Sequence, residues 1–137
     1  MEEMNIKPHH NANVPEGWEM IEFGDFAEVS KKKYTPVANE SIRCIELEHL
    51  NQETGSINGW VNSSEQKSTK NKFNKGQVLF GKLRPYLKKY WLAEFDGVCS
   101  SEIWVMNSTS KKCSNEFLSR LVQSNKFIQV ANVSSGS

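Results

Sequence analysis

The sequence predicts a single α+β domain, a bent mixed β-sheet with short flanking helices, and three observations carry that prediction. Apolar runs of strand length, QVLF at 77–80 and VCSSEIWVM at 98–106, are bounded by glycine, proline and Asp-Gly turn signals. Phe117, Leu118, Leu121 and Val122 recur at helical spacing near the C-terminal end. A chain of 137 residues, 37% hydrophobic and 24% charged, is long enough for one buried core and too short for two.

Taken in order, residues 1–13 are polar and aperiodic, hold Pro8 and the pair His9 and His10, and predict a flexible leader; the folded domain is expected over 14–133. VPEGW is a turn delivering Trp18 into a short strand at 18–23, with a helical turn expected through 25–29. Lys31, Lys32 and Lys33 follow in a loop ending at Pro36, a solvated triplet that joins a basic face only if the fold brings it there. SIRCIELEHL, 41–50, reads as a strand with an irregularity near Cys44. Gly55 and Gly59 in ETGSINGWV predict a hairpin-like reversal into Trp60 and Val61. Residues 62–76, NSSEQKSTKNKFNKG, lack a period apart from Phe73 and read as a loop. After the 77–80 strand, a second strand at 88–95 is expected to turn at Asp96-Gly97 and return through 98–106. Ser114 and Asn115 are cap residues, Glu116 suits the positive end of a helix dipole, and the helix should run to about Ser124 and restart over 126–130.

Several function classes find no support. No apolar run reaches the roughly eighteen residues of a membrane span, and the N-terminus lacks the basic-then-apolar layout of a secretory signal, so the cytoplasm is the expected compartment. Cys44, Cys99 and Cys113 are widely spaced without a CxxC pair and read as reduced thiols, the first two as small strand hydrophobes. Leu83-Arg84-Pro85-Tyr86 echoes the Asn/Asp-Pro-Pro-Tyr motif of amino-methyltransferases but lacks its polar first residue. There is no phosphate-binding glycine loop, no HExxH and no paired-carboxylate arrangement, and His9, His10 and His49 are scattered. Neither catalysis, nor a metal, nor a cofactor is expected.

Charge distribution is the informative feature. The net charge is only +1, yet 67–89 holds eight cations and no carboxylate, while 1–30 holds seven carboxylates and one lysine. Such polarity gives a field that orients an approaching polyanion. GKLRPYLKKYW, 81–91, interleaves four of the cations with two tyrosines and a tryptophan, and Pro85 should mark a bend presenting Lys82 and Arg84. Tyr90 and Trp91 read equally well as core aromatics. The candidate set for contacting a nucleic acid is Lys67, Lys70, Lys72, Lys75, Lys82, Arg84, Tyr86, Lys88 and Lys89. Lysines near phosphates act by counterion release, and arginine can also fork onto a guanine edge.

VPEGWEMIEFGDFAEV, FNKGQVLFGKLRPYLKK, GVCSSEIWVM and FLSRLVQS, in this order and spacing, resemble a target recognition domain of a type I restriction-modification specificity subunit over about residues 14–137. The resemblance implies a non-catalytic domain that binds double-stranded DNA and reads one half of a split sequence, while modification (methyltransferase) and restriction subunits do the chemistry. It also implies a second recognition domain joined by helical spacers, so that 134–137 would begin a linker in a half-subunit, a truncated product or a fragment. The motif residues carried over are Gly81, Lys82, Leu83, Arg84, Pro85, Tyr86, Leu87 and Lys88. Because phosphate contacts position and base contacts specify, these are expected to build scaffold and phosphate grip, with base choice in 31–41 and 52–72. SKKKYTP departs from the family, whose members often carry a glycine-containing turn there. The alternative reading is a protein-interaction module that associates with specificity or modification subunits and modulates their assembly.

Overall fold

The computed structural model describes residues 27–109 and 114–134. The expected leader, the VPEGW turn, the 18–23 strand and Cys113 lie outside them. Among the described residues nine strands form two sheets instead of one, with two short helices against the first, and the α+β class holds.

The antiparallel four-stranded sheet has the order β1 (Ala27–Val29), β9 (Ile103–Ser108), β6 (Val78–Gly81), β7 (Tyr90–Leu92). The five-stranded sheet has the order β2 (Lys33–Tyr34), β5 (Lys70–Phe73), β8 (Gly97–Cys99), β3 (Arg43–Ile45), β4 (Val61–Asn62). In it β3 and β8 run parallel and the other pairs antiparallel. Helix α1 (Asn115–Leu121) packs on β6, β7 and β9, and α2 (Asn125–Ser134) packs on the single-turn 3-10 helix Pro85–Leu87.

Strand β6 explains why VLF is an uninterrupted apolar run. Its alternate residues point to opposite faces, and both faces are covered. Val78 and Phe80 join Met106, Leu118, Val122, Phe127 and Val130 under the helices. Leu79 joins Trp91, Val105, Ile103, Phe73 and Ile45 in a second core. Tyr90 and Trp91 are both core residues, each facing one of these clusters.

The helices follow the predicted cap chemistry. Ser114 Oγ accepts the Phe117 N–H at 3.0 Å, and Asn115 ties α1 to the sheet by accepting from Ser108 N–H and donating to the Gly76 carbonyl, both at 2.7 Å. Ser124 Oγ accepts the Phe127 N–H at 3.1 Å and starts α2, which runs past the expected 130 because Val130 and Ala131 are buried on its inner face.

Three expectations are corrected. Residues 27–29 form strand, not a helical turn, because Ala27, Glu28 and Val29 pair with Ser108, Asn107 and Met106. The 62–76 segment contains β5, whose polar Lys70 and Asn71 are buried; their partners lie far away in sequence, on Glu46 and on the Ile103 carbonyl. Finally, Asp96-Gly97 closes no hairpin. β7 and β8 belong to different sheets, and the 98–106 run breaks at Ser100–Glu102 so that β8 and β9 serve one sheet each. Asp96 Oδ1 instead accepts the Lys75 N–H at 2.7 Å, and Gly97 is needed for close approach, since a Cβ there would lie 2.7 Å from the Arg43 carbonyl oxygen and 2.8 Å from the Phe73 ring.

Candidate nucleic-acid interface

The β6–β7 connection, residues 82–89, carries the central basic motif. Pro85 at the start of the 3-10 turn Pro85–Leu87 is buried against the fold. Arg84 and Lys88 bracket that turn in the left-handed region, at φ 56° and 51°. For residues with a Cβ this costs about 1–2 kcal/mol each. The conformation is held by Leu87 N–H to Arg84 carbonyl at 3.0 Å, Lys88 N–H to Pro85 carbonyl at 2.9 Å, and Gly81 N–H to Lys89 carbonyl at 2.8 Å. The result exposes Leu83, Arg84 and Tyr86, the last at 61%, with Lys82 half-buried beside them.

A second loop abuts the first. Residues 50–57 reverse direction, with Leu50 paired to Ile57 and Asn51 N–H bonded to the Ser56 carbonyl at 3.0 Å. Glu53 N–H donates to the Lys88 carbonyl at 2.8 Å, Gln52 pairs with Lys89, and Lys89 Nζ reaches the Leu47 carbonyl at 3.3 Å. Two glycines permit this contact. A Cβ on Gly55 would sit 2.8 Å from the Tyr90 ring, and one on Gly81 2.8 Å from Leu47 Cδ1.

The β8–β9 turn then joins these loops to the lysine triplet. Lys82 N–H donates to the Glu102 carbonyl at 3.0 Å. On the other side Asn71 Nδ2 donates to the Ile103 carbonyl at 2.9 Å, while Asn71 Oδ1 accepts Lys33 Nζ at 2.6 Å. Lys72, exposed between buried Asn71 and Phe73, donates its N–H to the Lys32 carbonyl at 3.0 Å. The fold therefore does bring Lys31, Lys32 and Lys33 to a basic segment, which the sequence left open. One exposed carboxylate, Glu102, sits in the connecting turn.

Not all predicted residues gather there. Lys72, Lys82, Arg84, Tyr86, Lys88 and Lys89 border the joined loops and turn. Lys75 is exposed in the β5–β6 turn, at the far end of β6 from Lys82, about 10 Å along the strand. Lys67 is exposed in the segment leading into β5. Lys70 requires correction as a surface contact: its side chain is 4% exposed and its ammonium is held 2.9 Å from Glu46 Oε2. A residue that sequence reasoning missed is Arg43, whose guanidinium lies 4.8 Å from the Trp60 ring and 4.4 Å from the Phe95 ring, beside a shallow cavity of about 210 Å³ lined by Ser41, Ile42, Val61 and Asn62. Nothing local in the sequence marks that stack, because Phe95 arrives from another strand connection.

Cys44 and Cys99 are buried free thiols. Burial, aided by the Glu46 carboxylate that accepts the thiol 3.1 Å away, pushes Cys44 up to about 12, and burial pushes Cys99 up as well. Their neutral form is favoured in the folded chain, so this contribution to stability is complete below about pH 9 and is lost as pH rises from there toward 12. Each thiol contributes a slope of up to about 1.4 kcal/mol per pH unit in that window. Urea unfolding between about pH 8 and about pH 10.5 should show the decline, and Cys44→Ala should make it shallower. His49 is likewise structural, its Nδ1 accepting the Glu46 N–H at 2.8 Å. Among the described residues no cluster of His, Cys, Asp and Glu could hold a metal ion, and no helix is long and apolar enough to cross a membrane.

These features define a small two-sheet α+β domain whose exposed chemistry is a pair of bonded loops bordered by cations. The family model described as the type I restriction modification DNA specificity domain matches residues 15–137, and the chain belongs to that family. It is 30% identical over 122 residues to the type I restriction enzyme EcoDI specificity subunit of Escherichia coli, a match covering 88% of this chain and 27% of that protein. A solved structure described by the complex assembly and conformational transition of the type I R-M system shares the fold, with a TM-score of 0.58 and 19% identity, over 72% of this chain and 31% of that one. The chain thus spans between a quarter and a third of the length of these relatives.

Proposed function

We propose that this domain binds duplex DNA and reads one half of a bipartite sequence within a type I restriction-modification system, without itself catalysing a reaction. The observation that carries the reading is the hydrogen-bonded continuity, through the β8–β9 turn, between the Lys31–Lys33 and Lys72 cations and those of the 82–89 loop. Family membership supports it independently. Lys82, Arg84 and Lys88 would grip phosphates, with Tyr86 packing beside them, and Lys32 and Lys72 would extend the track. Lys67 and Lys75 would add long-range attraction, and Lys89 would buttress the loop through Leu47.

In this reading the partners are double-stranded DNA, modification and restriction subunits, and a second recognition domain; the compartment is the cytoplasm, and no cofactor is needed for recognition. Binding by one domain should be weak, on the order of 10⁻⁴ to 10⁻⁶ M for random duplex at physiological salt. Fluorescence anisotropy across a salt series should give a log–log slope of about −5, corresponding to roughly six neutralised phosphates. A flat salt dependence, or no binding at low salt, would overturn the proposal.

A further inference from the structure

We infer that Gln52 and Glu53, at the tip of the 50–57 hairpin, are base-reading residues, and that the junction of this hairpin with the 82–89 loop is one rigid reading head. This rests on the DNA-binding reading above and goes beyond it by assigning specificity to two side chains.

Backbone strain converges on this junction. Among the described residues, three non-glycine positions have positive φ: Glu53 at 66°, Arg84 at 56° and Lys88 at 51°. Two of them are hydrogen-bonded to each other, Glu53 N–H to the Lys88 carbonyl at 2.8 Å. Strain of this kind persists only where the surroundings over-determine it, and it concentrates at ligand clamps. Here it fixes a phosphate-gripping backbone and a second loop in one register, as base readout requires.

Side-chain bonding separates the hairpin into frame and tip. Asn51 donates to Ser56 Oγ at 2.9 Å and accepts from Asn58 at 2.8 Å, Asn58 also bonds the Glu48 carbonyl, and Thr54 Oγ1 lies 2.7 Å from Ser56 Oγ. Those residues are occupied in shaping the turn. Gln52 and Glu53 are exposed, and their side chains make no hydrogen bond among the described residues. Their chemistry is that of base edges: a glutamine amide pairs with adenine N6 and N7, and a carboxylate accepts from cytosine N4.

Glu53 is the more telling of the two. A carboxylate on a residue bonded through its backbone to Lys88 weakens attraction to any phosphate gripped there, so it is unfavourable in a surface built only for affinity. Where it meets a base amino group the same charge becomes favourable, and elsewhere it repels, which is how specificity is gained at the expense of general binding.

The test is selection of the intact chain on a randomised duplex library, followed by anisotropy on the selected and on random duplexes. Gln52→Ala should lower affinity for the selected duplex about ten- to hundredfold, relax preference at one or two adjacent positions, and change random-duplex affinity less than about twofold. Glu53→Gln should raise random-duplex affinity severalfold while reducing discrimination. If both variants select the same sequence as the parent, or the parent binds duplex but selects no sequence, the assignment fails while duplex binding stands. If the parent binds no duplex at low salt, the underlying DNA-binding reading fails and this inference with it. Unchanged thermal unfolding of both variants excludes a folding defect as the cause.

Discussion

Replacing Lys82 and Arg84 together by glutamate should lower duplex affinity about a hundredfold or more at physiological salt, and the residual binding at low salt should show a salt slope reduced in magnitude by about 2. Both side chains leave the loop where its backbone is held by bonds that do not involve them: Lys82 N–H to Glu102 and Leu87 N–H to the Arg84 carbonyl are main-chain contacts. Thermal stability should therefore stay within about 1 kcal/mol, as for surface changes generally. Arg84→Gly provides the control. It removes the Arg84 charge alone while relieving a left-handed φ, so it should weaken binding less than the double variant does and raise stability by about 1 kcal/mol. Undiminished binding by the double glutamate variant would remove the grip from this loop.

Glu46→Ala should have the opposite profile, with a large loss of stability and no change in salt slope. Glu46 Oε2 accepts from Lys70 Nζ and from the Cys44 thiol, and Lys70 has 4% of its side chain exposed against 25% for Glu46. Removing the carboxylate strands a buried ammonium, a defect worth 3–5 kcal/mol when both partners are fully buried; the partial exposure of Glu46 places this case near about 3 kcal/mol. Lys70→Met leaves behind the partner that water can reach and should cost only about 1 kcal/mol. Denaturant unfolding of the two variants measures the asymmetry. If Lys70→Met also flattened the salt dependence of binding, Lys70 would belong to the phosphate grip after all.

How much was legible beforehand follows from which interactions are local. The helices were readable because Ser114, Asn115 and Glu116 and the apolar spacing of 117–122 act within a turn or two of one another. Strand β6 was readable because four covered residues leave a run no loop would carry. The division into two sheets was not, since the Ser100–Glu102 break is set by tertiary pairing: Cys99 stacks beside Ile45, whereas Ile103 faces Gly81. Lys70 shows the same limit from the side of charge. As a letter it equals Lys72, and only a carboxylate twenty-four positions upstream distinguishes a buried ion pair from an exposed cation. The lysine triplet and most of the 50–57 hairpin fall in the 31–41 and 52–72 segments where base choice is expected, but their attachment to the rest of the candidate surface, through bonds to Asn71 and Lys88, is announced by no short-range pattern.

The pairing of Ala27 with Ser108 also bears on how the chain reaches this state. Among the described residues β1 pairs only with β9, and β3 must wait for β8 to lie alongside it, so both sheets close only after late-synthesised residues arrive. Such non-local pairing predicts folding slower than that of helical domains of this size. During synthesis the early strands stay open-edged until β8 and β9 leave the ribosome, and substitutions at Cys99 or Ile103 should slow refolding more than equally destabilising ones in α2.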